Sequence, residues 1–247
     1  GGLIDHTAAA DGTLIVKVHD FVYRGGDQYF YRLTVTTGPH IDYVFPPAAE
    51  QGKAAKVTVF GRNLPGGSPS KISLDGKVLD QLTVDLTAPG DPAARQRLAT
   101  TLALGGASAG LDGFEYRLKG ASGFLSNPAL LTFANSPVIT EAEPNDSPAK
   151  AQTITPPVTV AGQFGTPNDR DWFAFDAKKG DTFWVEVTSH RLGLPTSPFV
   201  VIQKAAKNDK GEEVVTDVAN VDDPGDRNAR IGTDFDTSTD DPSYRLT

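Results

Sequence analysis

Hydrophobic and polar residues alternate along much of the chain with a period of two, which is the pattern of half-buried β-strands. Residues 13–18 (TLIVKV) and 29–35 (YFYRLTV) each place most of their apolar side chains on one face of a strand. The turn sequence Gly25-Gly26-Asp27 lies between the two runs. The pattern therefore predicts a β-hairpin over residues 13–35.

Similar short runs follow through the rest of the chain, and Gly and Pro turn signals separate them. The further predicted strands are 41–47, 57–64, 71–74, 77–86, 97–104, 113–119, 130–133, 158–162, 171–176, 182–188, 199–203, 213–217 and 244–247. We predict a short helical turn at 89–97, and long solvated loops in the Asp-rich remainder of 204–243. Many short strands at such spacing predict an all-β fold of tandem β-sandwich modules.

Two Gly- or Pro-containing boundaries divide this strand pattern. Thr37-Gly38-Pro39 ends the first predicted hairpin, and Asn135-Ser136-Pro137 precedes a stretch rich in acidic residues. The sequence therefore predicts three segments, at residues 1–38, 39–136 and 137–247.

Composition narrows the class of protein. A hydrophobic content of 38% with 22% charged residues is typical of a folded chain. The net charge of −8 disfavours a nucleic-acid partner, which needs clustered Lys and Arg. The absence of Cys excludes thiolate chemistry, and no apolar run approaches the ~18 residues of a membrane span. The chain has no Met, so we expect it to be a piece of a longer protein, with any signal peptide either removed or further upstream.

Oxygen-rich side chains form two clusters on either side of a Pro-rich stretch. Those that we predict to bind one Ca²⁺ ion are Glu141, Glu143, Asn145, Asp146, Asp169 and Asp171. Ca²⁺ takes about six to eight oxygen ligands, and carboxylates and amides on irregular backbone supply them. A single site requires the stretch between the clusters to fold back. The alternative is that these acids are solvated caps and turn residues.

The same stretch carries Glu-x-Glu-Pro-Asn-Asp-Ser, an Ala-rich turn, Val-x-Gly and Asp-x-Asp-Trp-Phe-x-Phe. In this order the motifs resemble the bacterial pre-peptidase C-terminal domain, and the resemblance covers about residues 139–247. That family is a small β-sandwich appended to secreted peptidases and large surface proteins, and it includes collagen-binding modules of clostridial collagenases. In those relatives the first acidic segment and the Asp-x-Asp segment share calcium, so the resemblance implies Ca²⁺ as a cofactor here.

Residues 1–36 resemble the closing strands of the same family, through Asp11-Gly12 with the alternating run after it and then Tyr31-Arg32-Leu33. Leu14 stands where the family usually has an aromatic residue. Residues 39–64, which end in Gly-x-Asn-Leu, are similar to the opening of an immunoglobulin-like module of the IPT/TIG type.

The two ends of the chain then hold the tail of one pre-peptidase-like module and the head of another. We therefore expect the hairpin at 13–35 to complete the sheet of a C-terminal half, within one chain or between chains by strand-complemented self-association. The alternative is that the hairpin packs on the middle module.

Candidate catalytic residues are scattered. Ser108 lies in a G-x-S-x-G sequence, but the nucleophile elbow needs a strand-to-helix turn, and Leu111-Asp112-Gly113 and another predicted strand follow here. The histidines are His6, His19, His40 and His190, and no pair has the spacing of a zinc protease. We therefore predict that the chain is not an enzyme.

The chain has two Trp residues, Trp172 and Trp184, and both fall out of phase with the apolar residues beside them. Phe173 and Phe175 share the core phase of one strand, so Trp172 is expected on the opposite face. Exposed aromatic residues of this kind mark partner-binding surfaces. The alternative is that a loop or an adjoining module covers them.

Together these patterns indicate a non-catalytic accessory or binding region of a secreted or cell-surface bacterial multidomain protein. We expect it to be stabilised by calcium, to accompany a peptidase or a large surface protein, and to bind an extracellular polymer or protein. The second hypothesis is a purely structural spacer or stalk without a ligand. A third, enzymatic hypothesis would need an assembled active site.

Overall fold

The computed structural model describes residues 3–91, 107–120, 123–194, 196–207, 209–210, 213–222, 230–231, 235–236 and 238–247. The chain divides into two compact units, Gly1–Thr37 and Gly38–Thr247. The predicted strand at 97–104 and nearly all of the helical turn predicted at 89–97 lie outside the described residues. Within these ranges, no helix has the length and apolar character needed to cross a membrane.

The N-terminal unit differs from its prediction, because its described residues 3–37 form no β-strand. A turn does occur at the predicted position, where the Tyr29 N–H donates to the Gly26 carbonyl at 2.9 Å. The predicted hairpin is wrong. Alternation of apolar and polar residues indicates one face that can be buried, but a β-strand also needs a neighbouring strand for its backbone hydrogen bonds. Many apolar side chains of this unit are exposed, with Ile15 at 91% and Phe30 at 89%.

The first part of the second unit is built from two sheets. The antiparallel sheet has the order β1-β3-β5-β4, and the smaller one has the order β2-β7-β6 with β2 parallel to β7. Their strands are β1 (His40–Phe45), β2 (Ala48–Glu50), β3 (Ala54–Arg62), β4 (Ser68–Leu74), β5 (Lys77–Thr87), β6 (Gly113–Tyr116) and β7 (Ala129–Ala134).

Apolar side chains from both sheets share one core. Ile41 and Val59 from the larger sheet lie in the same buried cluster as Ala49, Phe114 and Leu131 from the smaller one. Burying side chains of this kind stabilises the fold by about 1.5–3 kcal/mol for each large one. The two sheets therefore form a sandwich, as the strand spacing predicts.

The structure explains the residue types of the Gly-x-Asn-Leu sequence, which begins inside β3 and ends just after it. A Cβ at Gly61 would collide with the backbone carbonyl of His40 on the neighbouring strand. Asn63 has a φ of 54°, in the left-handed region that Asn tolerates better than most residues. Leu64 then enters the core.

The second part of this unit consists of short paired strands. They are β8 (Val138–Thr140), β9 (Gln152–Thr153), β10 (Thr159–Ala161), β11 (Phe173–Ala174), β12 (Phe183–Glu186), β13 (Val200–Lys207), β14 (Glu213–Val221), β15 (Arg230–Ile231), β16 (Phe235–Asp236) and β17 (Ser243–Leu246). The pairs β8-β10 and β9-β11 are parallel, whereas β12-β17, β13-β14 and β15-β16 are antiparallel.

Regular helix in the described residues is confined to 3₁₀ turns at Ala107–Gly110, Pro148–Lys150 and His190–Leu192. The predicted all-β class is therefore confirmed. The long loops predicted in 204–243 are partly wrong, because β13 and β14 extend into that stretch and β15 and β16 lie within it.

Asp241 also departs from the predicted solvated loop, since it is only 2% exposed. Its carboxylate accepts hydrogen bonds from the backbone N–H groups of Ser189, His190 and Arg191 at 2.9, 2.6 and 3.1 Å, and from Arg191 Nε at 2.8 Å. Burial alone raises the pKa of Asp241, but these hydrogen bonds outweigh burial and leave the pKa below its ordinary value. The carboxylate thus ties the start of β17 to the 3₁₀ turn that follows β12.

Candidate metal site

The first acidic segment begins where β8 ends. The Glu141 N–H donates to the Ala161 carbonyl at 2.9 Å, which continues the β8-β10 pairing by one residue. The Gln152 side chain holds the next turn, because its Oε1 accepts from the Ala142 N–H at 2.8 Å and its Nε2 donates to the Thr140 carbonyl at 3.2 Å. The backbone that carries the first acidic residues is therefore fixed on two sides.

The second acidic segment reaches the first through the backbone of Trp172. The Trp172 N–H donates to the Asn145 carbonyl at 3.0 Å, and the Trp172 carbonyl accepts from the Gln152 N–H at 2.8 Å. These two bonds bring Asp171 beside Asn145, although 26 positions separate them in the sequence. The chain between the clusters folds back, as a single site requires.

The acidic side chains converge in two overlapping groups that share Glu143. Carboxylate oxygens of Glu141, Glu143 and Asp171 lie within 4.8 Å of one another, and so do those of Glu143, Asp146 and Asp169. All five predicted carboxylates therefore meet in one region. Glu143 and Asp146 are exposed, whereas the other three are half-buried, so the region opens to solvent on one side.

Buried polar atoms without a hydrogen-bond partner are concentrated at this site. Across the part of the chain that the structure describes, such side-chain atoms are Glu141 Oε2, Asp171 Oδ1 and both Oδ1 and Nδ2 of Asn145. Asn145 is 0% exposed. An unpaired buried polar group costs about 1–3 kcal/mol, and a cation held by the neighbouring carboxylates could satisfy oxygens of this kind.

The acidic cluster also shifts the pKa of one of its own members, Asp171. Burial raises the pKa of Asp171 to about 6, and the negative charges of Asp169, Glu143 and Asp146 add to the shift. Both causes disfavour the ionised form of Asp171. A bound cation would offset the repulsion between the neighbouring carboxylates and would coordinate their oxygens, so it would favour the ionised form of Asp171.

Two backbone amides after β10 also contact carboxylates of the site, and no sequence motif predicted them. The Gln163 N–H donates to Glu141 Oε1, and the Gly165 N–H donates to Asp169 Oδ2, both at 2.5 Å. Burial raises the pKa of Glu141, the Gln163 hydrogen bond opposes that rise, and nearby carboxylates such as Asp171 reinforce it. The loop that carries these amides holds one carboxylate from each acidic segment.

The two Trp residues have different surroundings. Trp184 on β12 is 66% exposed, whereas its neighbours Phe183 and Val185 are half-buried, so the alternation predicted for this strand is confirmed. Trp172 is half-buried and therefore less exposed than its phase suggests. The two strands also have different partners, since β11 pairs with β9 and β12 pairs with β17.

The G-x-S-x-G sequence does not build a nucleophile elbow around Ser108. Ser108 is buried in the 3₁₀ turn Ala107–Gly110, where we expected no helix, and β6 begins soon after it. Nδ1 of His190 accepts the Asp240 N–H at 3.3 Å. The nucleophile elbow needs a helix directly after the serine, whereas a strand follows Ser108 here.

Comparison with models of known protein families, with characterised proteins and with solved structures gives no match for this chain.

Proposed function

We propose that the chain is a non-catalytic accessory region of a secreted or cell-surface bacterial multidomain protein, and that Ca²⁺ bound by the acidic segments stabilises it. The observation that carries the proposal is the group of buried, unpartnered oxygens of Glu141, Asn145 and Asp171 among five converging carboxylates. The resemblance of residues 139–247 to pre-peptidase C-terminal domains supports the same function.

Ca²⁺ suits this site better than the other common hard cation, Mg²⁺. Mg²⁺ requires near-ideal octahedral geometry and keeps several of its waters, whereas Ca²⁺ accepts irregular sets of about six to eight oxygens. The ligands here come from turns and strand ends, with one side open to solvent. The absence of Cys leaves no thiolate that would favour a softer metal.

Thermal unfolding with calcium and with chelator tests this proposal. A ligand that binds only the folded state stabilises it by about 2.7 kcal/mol at a hundredfold excess over Kd. We expect the melting temperature to rise in millimolar CaCl₂ and to rise much less in MgCl₂. Identical melting curves in CaCl₂ and chelator would count against the site.

The proposed partner is an extracellular polymer or protein that contacts the surface around Trp184. Large exposed aromatic side chains are frequent anchors of interfaces, and Trp184 is opposite Arg245 in the β12-β17 pair, which gives the surface a cation beside an aromatic ring. Trp172 is the second proposed contact, through the part of its side chain that remains accessible. Collagen fibrils are the first polymer to test, because the resembling family includes collagen-binding modules.

Sedimentation with insoluble fibrils measures this binding. We expect Trp184→Ala to remove most of the bound fraction, whereas Phe199→Ala, which truncates another exposed aromatic residue, serves as the matched control. If no extracellular polymer retains the native chain, the spacer or stalk hypothesis is favoured instead.

We further propose that the chain self-associates through residues 13–35. Period-two apolar residues in this segment form no strand and remain exposed. Such a segment gains backbone hydrogen bonds and buries its apolar face when it is added to a sheet edge of another copy.

A further inference from the structure

The proposed cation site includes a position that offers no ligand atom, Gly162, immediately after β10. We infer that Gly162 is a positioning residue of the site: the missing side chain creates the space in which the Glu141 carboxylate lies. This inference rests on the proposed cation binding and identifies a determinant of affinity outside the six oxygen-bearing residues.

The contact between Gly162 and Glu141 is too close for any other residue type. A Cβ built on Gly162 would lie 2.6 Å from Glu141 Oε2 and 3.3 Å from its carboxylate carbon. Non-bonded carbon and oxygen atoms do not approach as closely as the first distance, so a methyl group and this carboxylate position exclude each other. The affected oxygen, Oε2, is one of the buried atoms that has no hydrogen-bond partner.

The backbone at Gly162 does not itself require glycine. Its φ lies outside the left-handed region, and the three atoms nearest to an added Cβ all belong to the Glu141 side chain. Glu141 is a flexible side chain that can rotate away at little cost to the fold. A methyl group at this position should therefore displace the ligand while it leaves the sheet intact.

The loop after β10 positions both oxygens of the Glu141 carboxylate. Oε1 accepts the N–H of Gln163, and Oε2 lies 2.6 Å from the point that a Cβ on residue 162 would occupy. With both oxygens placed, the carboxylate stays within 4.8 Å of those of Glu143 and Asp171. If the Glu141 carboxylate is displaced from this position, the group that contains the unpartnered oxygen of Asp171 loses one carboxylate.

A matched control is Gly12, which lies outside the site. A Cβ on Gly12 would meet no atom within 4 Å, and its φ is also outside the left-handed region. Gly12→Ala thus makes the same chemical change without displacing a ligand.

Calorimetric titration of the 247-residue chain with CaCl₂ tests the inference. We expect Gly162→Ala to weaken calcium binding by about tenfold or more, and Gly12→Ala to change it by less than about threefold. The melting temperature of Gly162→Ala in chelator should stay close to that of the native chain, because only the ligand moves. Equal calcium affinity of Gly162→Ala and the native chain overturns the inference alone, whereas a native chain that binds no calcium overturns the proposed function as well.

A second variant pair tests the contact itself. Glu141→Asp shortens the side chain by one methylene and withdraws the carboxylate from position 162. We expect the two substitutions to be non-additive, so that Gly162→Ala combined with Glu141→Asp binds calcium more tightly than the product of the two single effects. Strictly additive losses, or a Gly162→Ala chain that does not fold even in chelator, would show a general structural role and overturn the inference.

Discussion

Asn145 shows at the scale of single residues how the acidic region is organised. Its backbone is satisfied, because its N–H donates to Glu143 Oε2 at 2.9 Å and its carbonyl accepts from Trp172, yet its buried side chain has no partner. The sequence indicated the oxygen-bearing residues by their type and clustering. It did not reveal which of their atoms are unpaired, because that depends on backbone contacts between distant segments.

Substitution of Asp171 gives a residue-scale prediction with a defined pH dependence. Its pKa in the metal-free fold is raised to about 6 from an ordinary value near 3.8. Between these values the folded state holds more protons than the unfolded state, so the contribution of Asp171 to stability falls as pH rises. We therefore expect Asp171→Asn in chelator to be more stable relative to the native chain at pH 7 than at pH 4.

Urea unfolding of both chains in chelator at the two pH values measures this difference. Asp176→Asn, at an exposed position on the same segment, is the control and should show no such trend. A difference between native and Asp171→Asn chains that is constant from pH 4 to pH 7 would contradict the prediction.

At the scale of elements, alternation predicted strands well where a partner strand was available. The runs at 57–64 and 77–86 became β3 and β5, which pair over most of their length. The runs at 13–18 and 29–35 have equally clear alternation and form no strand. A period of two in the apolar residues indicates a strand face that can be buried. Whether the segment pairs with another strand depends on residues far away in the sequence.

Asp241 gives the element-scale prediction, because one carboxylate holds together the 3₁₀ turn His190–Leu192 and the start of β17. Its replacement by Ala leaves three backbone N–H groups and the Arg191 guanidinium without this acceptor. We expect Asp241→Ala to lower the free energy of unfolding by about 2–4 kcal/mol.

Chemical denaturation measures the loss, with Asp240→Ala as the neighbouring control, since Asp240 contacts His190 through its backbone N–H. Both variants losing the same small amount of stability would show that the carboxylate of Asp241 is not a link between these elements. The sequence could not single out Asp241 among the many acids of this stretch, because its acceptor role depends on a turn about 50 residues away.

At the scale of the whole molecule, the all-β class that the sequence predicts is the class observed. The sandwich of residues 40–134 was predictable from turn spacing and apolar alternation. Among the short strands of residues 138–246, β10 to β14 and β17 overlap predicted strands, whereas β8, β9, β15 and β16 were not predicted. The pairing was not predictable either, since neither the parallel β8-β10 nor the β9-β11 pair has a signal in the local sequence.

Removal of residues 1–36 tests the proposed self-association. We expect the full chain to form dimers or larger species with increasing concentration, and the truncated chain to lose this behaviour and unfold at a lower temperature. Light scattering and thermal unfolding measure both properties, with removal of residues 1–10 as a control that keeps the apolar runs. A full chain that stays monomeric at every concentration, or a truncated chain that associates as readily as the full chain, rules out the complementation.

The central claim is that the converging acidic residues bind Ca²⁺, and equilibrium dialysis against radioactive calcium tests it most directly. The native chain is predicted to retain calcium at micromolar to millimolar free concentrations, the range of about 10⁻⁶–10⁻³ M typical of sensor and extracellular sites. Glu143→Gln, which alters the carboxylate shared by both groups, should lose this binding, whereas Glu186→Gln on β12 should keep it. Calcium retention by the native chain that equals that of Glu143→Gln would contradict the claim.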